Sequence, residues 1–172
     1  MAKIEHIEIL NQGVAIWNQW RKDHPAILPD LCEAVITFKD LSHINLRQTQ
    51  LKRAILSSTK LPGADFTGSD IREADLGRAD LSQANLNNAN LSASYLVETT
   101  LRGAVLTNSN LTAANLTAAK LHNANLRGAN LSKANLRGAS FNVANPEFTD
   151  LREANIDLTD FAGANTENTI FD

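Results

Sequence analysis

Between residues 36 and 171 an apolar residue recurs at every fifth position, and the beat never slips. All 28 positions of this frame are Leu, Ile or Phe except Pro146 and Thr166. Two residues earlier the chain carries Ala, Ser or Thr, with Lys39 and Ile44 as the exceptions. One residue earlier, 18 of the 28 are Asp or Asn, so a typical unit reads small, polar, apolar and then two variable positions. A straight helix cannot use this spacing, because residues five apart sit about 140° apart around its axis. A flat strand fails too, since an odd spacing throws successive leucines to opposite faces. The pattern predicts a chain that turns once per five residues and returns each apolar side chain to a common axis. Such a chain is a flat-sided coil that stacks on itself.

Turn residues recur in step with this beat. Gly63, Gly68, Gly103, Gly128, Gly138 and Gly163, with Asn88, Asn108, Asn123 and Asn168, all lie two residues after the apolar position; Gly77 is the one repeat glycine out of phase. Gly and Asn tolerate the positive φ required at the third position of a type II turn, so corners are predicted there. A four-sided coil needs 20 residues, and several features recur at that interval. Pro146 and Thr166 are one such pair, Phe141 and Phe161 another, and Asp70, Asn90, Asn110, Asn130 and Asp150 form a column. At strand spacing, seven coils make a rod of about 34 Å.

A solenoid must cover the apolar interior at its ends. Ahead of the repeats, "IEHIEILNQGVAIWNQWRKDHP" reads as one amphipathic helix, with Ile7, Leu10, Val14 and Trp17 at 3,4,3 spacing on one face. Pro25 and Pro29 end it and lead to a first coil near Leu31. Residues 1–30 are therefore read as an N-terminal helical cap and 31–172 as the repeat domain. The alternative is a partner-binding helix that presents Trp17 and Trp20. At the other end Phe141, Phe161 and Phe171 concentrate rings in the last coils. They either plug the coil or meet a second copy in a homodimer across a two-fold axis.

The run "ANLTAAKLHNANLRGANLSKANLRGA" resembles the pentapeptide-repeat family, whose unit is written A(D/N)LXX, and the match extends over about 140 of the 172 residues. The resemblance implies an all-β solenoid: a right-handed quadrilateral β-helix of about seven coils, with the central residue and the preceding small residue pointing inward. It also implies that the repeats hold no enzymatic site. Pro146 and Thr166 depart from the motif, so a bulge or a non-ideal turn is expected there, with Phe148 or Leu158 turned into the interior. The stretch "GVAIWNQWRKDHP" resembles leaders that precede the repeats in cyanobacterial members and points to such a source.

Composition adds exclusions. Aromatic content of 5% against 43% hydrophobic means that Leu and Ala, not rings, build the core. A net charge of −3 names neither a nucleic-acid nor a membrane partner. The single cysteine, Cys32, rules out an internal disulfide and a multi-thiolate metal site, and at the first turn it reads as a half-buried filler. No apolar run approaches the roughly 18 residues of a spanning helix, and the N-terminus lacks a signal peptide's basic start, so a cytoplasmic location is expected. His6, His24, His43 and His122 stand apart from any metal-ligand spacing, and the Asp/Asn column, dominated by uncharged Asn, suits turn-closing hydrogen bonds better than a cation. No phosphate-binding loop, nucleophile elbow or catalytic carboxylate pair occurs. The chain is read as a non-enzyme without metal or cofactor.

What remains is surface charge. Residues 81–146 hold one acid, Glu98, against Arg102, Lys120, Arg127, Lys133 and Arg137; residues 147–172 hold seven acids against Arg152. The five bases form the candidate interaction surface, where charge would steer a protein partner. The leading functional reading is a rigid, non-catalytic protein-interaction or scaffold module with an unidentified partner. Its alternative comes from the family resemblance: a DNA mimic that binds DNA gyrase. Mimicry needs a strongly acidic rod, which five central bases and a net −3 do not supply. Direct nucleic-acid binding is disfavoured by scattered bases and few stacking rings. An ice-binding face fails because Thr107, Thr112 and Thr117 fall on three different sides of the coil.

Overall fold

The computed structural model describes residues 2–172. Parallel bridges join the residue before a central apolar position to the one 20 positions later, from Asp30 with Gln50 to Asp150 with Ile170, at every step but Asn145 to Asn165. The coil therefore has four sides of five residues and winds as a right-handed quadrilateral β-helix. We number the sides by their central residues: side 1 carries Leu31, Leu51 and onward to Leu151; side 2 runs from Ile36 to Ile156; side 3 from Leu41 to Phe161; side 4 from Leu46 to Thr166. Coil 1 spans 29–48, and each later coil adds 20 residues, so that coil 7 ends at residue 168.

Five residues suffice for a side because each backbone N–H then has a defined acceptor. In the unit 109–113 the Leu111 N–H donates to Asn130 O at 2.7 Å and the Ala113 N–H to Ser132 O at 2.9 Å, both in the next coil. Asn110 donates back to Ala89 O at 3.0 Å in the previous coil, and Ser109 closes the preceding turn onto Leu106 O at 3.1 Å. The fifth donor, the Thr112 N–H, goes to Asn110 Oδ1 at 3.0 Å. That last bond explains the Asp/Asn phase of the sequence. All 18 Asp and Asn residues of that phase, and Asp30 before them, accept the N–H two residues on. These are Asx turns within one unit, satisfying a donor that the ladder leaves over. A side-chain amide bond between coils joins Asn165 to Asn145, at 3.1 Å.

The corners occur where the glycines and asparagines predicted them, but they do not need those residues. All 28 third-turn positions from Glu33 to Asn168 have φ between 53° and 68°, and 18 of them are neither Gly nor Asn. They include Phe38, Val143 and Leu158. Left-handed backbone costs such residues about 1–2 kcal/mol each. The two ladder bonds flanking each corner hold it there.

Inside, the central residues of coils 1–6 are buried on all four sides, with Phe66 and Phe141 taking the place of leucine without exposure. The small-residue phase lines the corners. Where it is Thr or Ser the hydroxyl finds a carbonyl: Thr59 donates to Ile36 O at 2.6 Å, Thr99 to Leu76 O at 2.7 Å, and Ser69 to Phe66 O at 2.6 Å. A small polar residue is thus as acceptable as Ala, because its hydrogen bond offsets its burial.

Pro146 behaves differently from the sequence expectation. There is no bulge: Phe148 and Leu158 keep the corner φ of 56° and 58° and stay outside, with Phe148 lying 5.3 Å from the Arg127 guanidinium. The turn also closes normally, Thr149 N–H to Pro146 O at 2.9 Å. What is lost is one ladder bond. Proline has no N–H to give Asn165 O, and the bridge expected between Asn145 and Asn165 is missing from the described residues. Thr166 sits exposed above it. Pro146→Leu restores the donor and is expected to stabilise the last coils by about 1 kcal/mol, read as a raised urea midpoint; an unchanged or lowered midpoint would show that the ring itself supports the corner.

The N-terminal segment forms two helices, α1 (Ile4–Asn11) and α2 (Val14–Asp23), instead of the single helix expected. Gly13, with φ 104° and ψ 168°, breaks the run. The predicted apolar face survives the break: Leu10 and Trp17 are buried, Ile7 and Val14 half-buried.

α2 closes side 4 of the first coil by imitating the coil that would have preceded it. Trp17 Nε1 donates to Asn45 O at 2.7 Å, the Asn18 amide accepts from Asn45 N at 2.8 Å and donates to His43 O at 3.0 Å, and Arg21 donates to Arg47 O at 2.9 Å. On side 1, Asp30 N donates to His6 Nδ1 at 2.9 Å and Asp30 O accepts from Lys3 N at 3.1 Å. On sides 1 and 4 the ladder edge is thereby covered instead of being left open to another chain. Burial, and then the charge of Arg47, push the Arg21 guanidinium below its ordinary pKa.

Candidate functional site

The 20-residue register decides which surface charges can act together. Arg102 and Lys120 lie on side 3, in coils 4 and 5; Arg127 is on side 4, Lys133 on side 1 and Arg137 on side 2. The five bases proposed from sequence as one surface are therefore spread over four sides. Linear proximity misled, because five residues of chain carry a side chain round one corner.

Ion pairing separates them further. Arg127 meets Glu147 at 3.5 Å and Lys133 meets Glu153 at 3.7 Å, each partner lying in the same column, one coil up. Glu33 with Arg53, and Arg78 with Glu98 at 2.9 Å, repeat this arrangement lower down. These pairs are exposed and each contributes little to stability. Their consequence is electrostatic: they cancel local charge along sides 1, 2 and 4.

Side 3 is different at its centre. Among the described residues, neither Arg102 nor Lys120 has a carboxylate within ion-pair distance. Between Asp80 in coil 3 and Asp160 in coil 7 this side carries no acid, and His122 stands directly after Arg102 in its column. A recess of about 270 Å³, lined by Ser82, Gln83, Arg102, Gly103 and Asn123, lies alongside. Hydroxyl and amide groups with an unpaired guanidinium make a surface suited to carboxylates.

The aromatic candidates divide by end. Trp17 is fully buried under the cap, and Trp20 packs between its neighbours with ring centroids 5.3 Å from Trp17, 5.2 Å from His6 and 5.6 Å from His24. Trp17 is therefore held in the cap and not presented to a partner. Phe141 is buried, Phe161 stacks over it at 5.0 Å, and Phe171 meets Phe161 edge-on at 6.2 Å. Cys32 is half-buried, and burial together with the adjacent Asp30 raises its thiol pKa, which disfavours the reactive thiolate. Among the described residues no helix is long and apolar enough to cross a membrane.

Comparison with known proteins agrees with this geometry. The chain matches the family described as pentapeptide repeats (8 copies) over residues 40–72, 74–112, 94–132, 109–145 and 129–165. No curated protein matches it significantly. Among solved structures it is similar to a trypsin-treated variant of QnrB1, a plasmid-mediated fluoroquinolone resistance protein, at 19% identity and TM-score 0.59, covering 83% of this chain and 81% of that one. HetL, a pentapeptide repeat protein involved in heterocyst differentiation regulation from the cyanobacterium Nostoc sp. strain PCC 7120, is 25% identical with TM-score 0.31, covering 81% and 86%. Rfr23 from the cyanobacterium Cyanothece 51142 is 28% identical with TM-score 0.26, covering 90% and 97%. With its repeats matched over most of their length and its four-sided coil in the same fold, the chain belongs to the pentapeptide repeat family.

Proposed function

We propose that this protein is a non-catalytic docking module: a rigid rod that holds an acidic surface of a protein partner against the centre of side 3. One observation carries the reading. Arg102 and Lys120 share a side, lie in adjacent coils and have no carboxylate of their own, while Arg127 and Lys133 are engaged in ion pairs. The ladder fixes their backbone, so little order has to be gained on binding, and unpaired cations steer an acidic partner.

Imitation of duplex DNA toward a gyrase, as the rival, would use evenly spaced exposed acids. This chain pairs Glu98, Glu147 and Glu153 with bases on its own surface, which favours the docking reading instead.

Charge reversal tests it. The double variant Arg102→Glu/Lys120→Glu should lose, by at least about tenfold, the protein that the wild type retains from a lysate of the source cell at about 150 mM salt. Arg137→Glu, on side 2, should retain it. Equal retention by the double variant, or recovery of gyrase by all three proteins, would reject the side 3 assignment.

A further inference from the structure

The corner that closes side 3 carries Gln83, Gly103 and Asn123 in one column, in coils 3, 4 and 5. Gly103 has φ 65°, and a Cβ there would rest 3.7 Å from Gln83 Cγ, an ordinary contact. Crowding does not demand glycine, and Phe38 and Leu158 hold the same corner phase at φ 58°. What the missing side chain does is open the recess of about 270 Å³ between the two amides, with Arg102 and Ser82 along its side.

The donors around it are idle. Among the described residues, the side chains of Gln83, Arg102, Lys120, His122 and Asn123 make no hydrogen bond or ion pair within the protein. Elsewhere the rod uses such groups on itself: Arg78 meets Glu98 at 2.9 Å, Arg127 meets Glu147 at 3.5 Å, and Thr107 donates to Asn87 Oδ1 at 2.7 Å. No acid competes from across the corner, because side 4 carries none in coils 3 to 5. Asp80, on the far edge of side 3, is tied down. Its Oδ1 accepts the Ser82 N–H at 2.9 Å and the Ser82 hydroxyl at 2.6 Å.

The number and directions of these donors select the anion. A carboxylate is planar, and one guanidinium fork saturates it. Here Arg102 stands at the recess, with the backbone of His122 about 5 Å above it in the same column. Lys120 rises about 7 Å from His122 across the face, and the two amides approach from the corner. That set suits a group with three terminal oxygens and close to two charges, a phosphoryl ester. No ring or aliphatic side chain lines the recess, so neither a phosphotyrosine ring nor a nucleobase has a surface to pack on. An ester on a short stem lets a partner's surface lie directly on the flat side. Resting on the docking reading above, we infer that the acidic group received by side 3 is a phosphorylated serine or threonine of the protein partner. It sits in the recess at Gly103 between Gln83, Arg102 and Asn123, with Lys120 and His122 alongside.

Amide spectra of the isotope-labelled full chain, titrated with a short alanine peptide carrying one central phosphoserine, test the inference. The peptide is expected to shift the Arg102, Gly103 and Asn123 amides with a dissociation constant of about 1 mM or tighter. Its glutamate counterpart should bind at least about tenfold more weakly. Arg102→Gln should weaken phosphoserine binding at least about tenfold, and so should Gly103→Leu, which keeps every charge and fills the recess. Arg137→Gln, on side 2, should bind as the wild type does. Circular dichroism melts verify the fold of each variant, and Arg102 is exposed, so its variant keeps the coil whatever Gly103→Leu does. Glutamate as good as phosphoserine, shifts centred away from side 3, or no shift at about 10 mM peptide would each overturn the inference. A folded Gly103→Leu variant that binds normally would do so too. The lysate separates this result from the docking reading: phosphatase treatment should abolish the same retention that Arg102→Glu/Lys120→Glu abolishes. Retention that survives phosphatase but not charge reversal overturns the phosphoryl assignment alone. Retention that survives charge reversal overturns the docking reading beneath it.

Discussion

Replacing Leu121 by alanine destabilises the protein by about 2–5 kcal/mol, toward the upper end of that range. Leu121 is fully buried, between Leu101 and Phe141 on side 3. The cost of such a truncation depends on how far the surroundings can collapse into the space. Here they can collapse very little. The Leu121 N–H is held to Ser140 O at 2.8 Å, and its carbonyl accepts from Ala124 N at 2.9 Å, so the backbone on both sides is fixed by bonds that the substitution leaves in place. Position matters as much as volume. In a solenoid each coil contacts only its neighbours, and stability is close to a sum of coil and interface contributions. A cavity in coil 5 weakens both of that coil's interfaces at once. Urea unfolding should show the loss, and hydrogen exchange should rise in coils 4 to 6 before it rises in coil 2. A loss below about 1 kcal/mol would mean that the coil relaxes around the cavity, contrary to a rigid ladder.

The second large effect belongs to the cap. Trp17→Ala is expected to cost about 3–5 kcal/mol, combining a lost indole with an exposed coil end. It should also strand the Asn45 carbonyl, which accepts from Trp17 Nε1 at 2.7 Å. Trp17→Phe separates the two contributions: it keeps most of the apolar contact, loses the hydrogen bond and should cost about 1–3 kcal/mol. Unlike Leu121→Ala, the damage should be graded along the rod. Amide exchange should increase most in coil 1, less in coil 2 and hardly at all by coil 5. Uniform loss of protection would mean that the whole rod unfolds as one unit and that the cap is not a local closure.

The architecture was legible from the five-residue beat because a single geometry, a corner per unit, satisfies it. The 20-residue coil was foreshadowed by paired irregularities such as Phe141 and Phe161, which now stack at 5.0 Å. The role of the Asp/Asn phase was only half legible. Turn closure was the right kind of chemistry, but the acceptor serves an N–H within its own unit, a matter of donor accounting that composition alone does not reveal. Corner residues were under-read: Gly and Asn marked the phase, yet Phe38, Val143 and Leu158 adopt the same φ because the neighbouring ladder bonds force it. Surface function was least legible. Arg102 and Arg137 look like neighbours in a basic stretch of chain, whereas the coil sends them to different sides. Arg102 and Lys120, separated in sequence by most of one coil, become neighbours instead. The helix break at Gly13 had a visible signal in the Gln12–Gly13 step, outweighed by an apolar spacing that carries across it.

Each of these surface assignments depends on a single register, in which one full turn of the coil returns the chain to the same side. The most direct test places spin labels at Ser42→Cys and Asn142→Cys, both on side 3, in a Cys32→Ser background, and measures their separation by pulsed electron resonance. Five coils at strand spacing predict a single narrow population with backbone sites about 24 Å apart. A three-sided coil would place them about 32 Å apart and a five-sided one about 19 Å apart, so either separation would contradict the register, and a broad distribution would contradict the rigid rod.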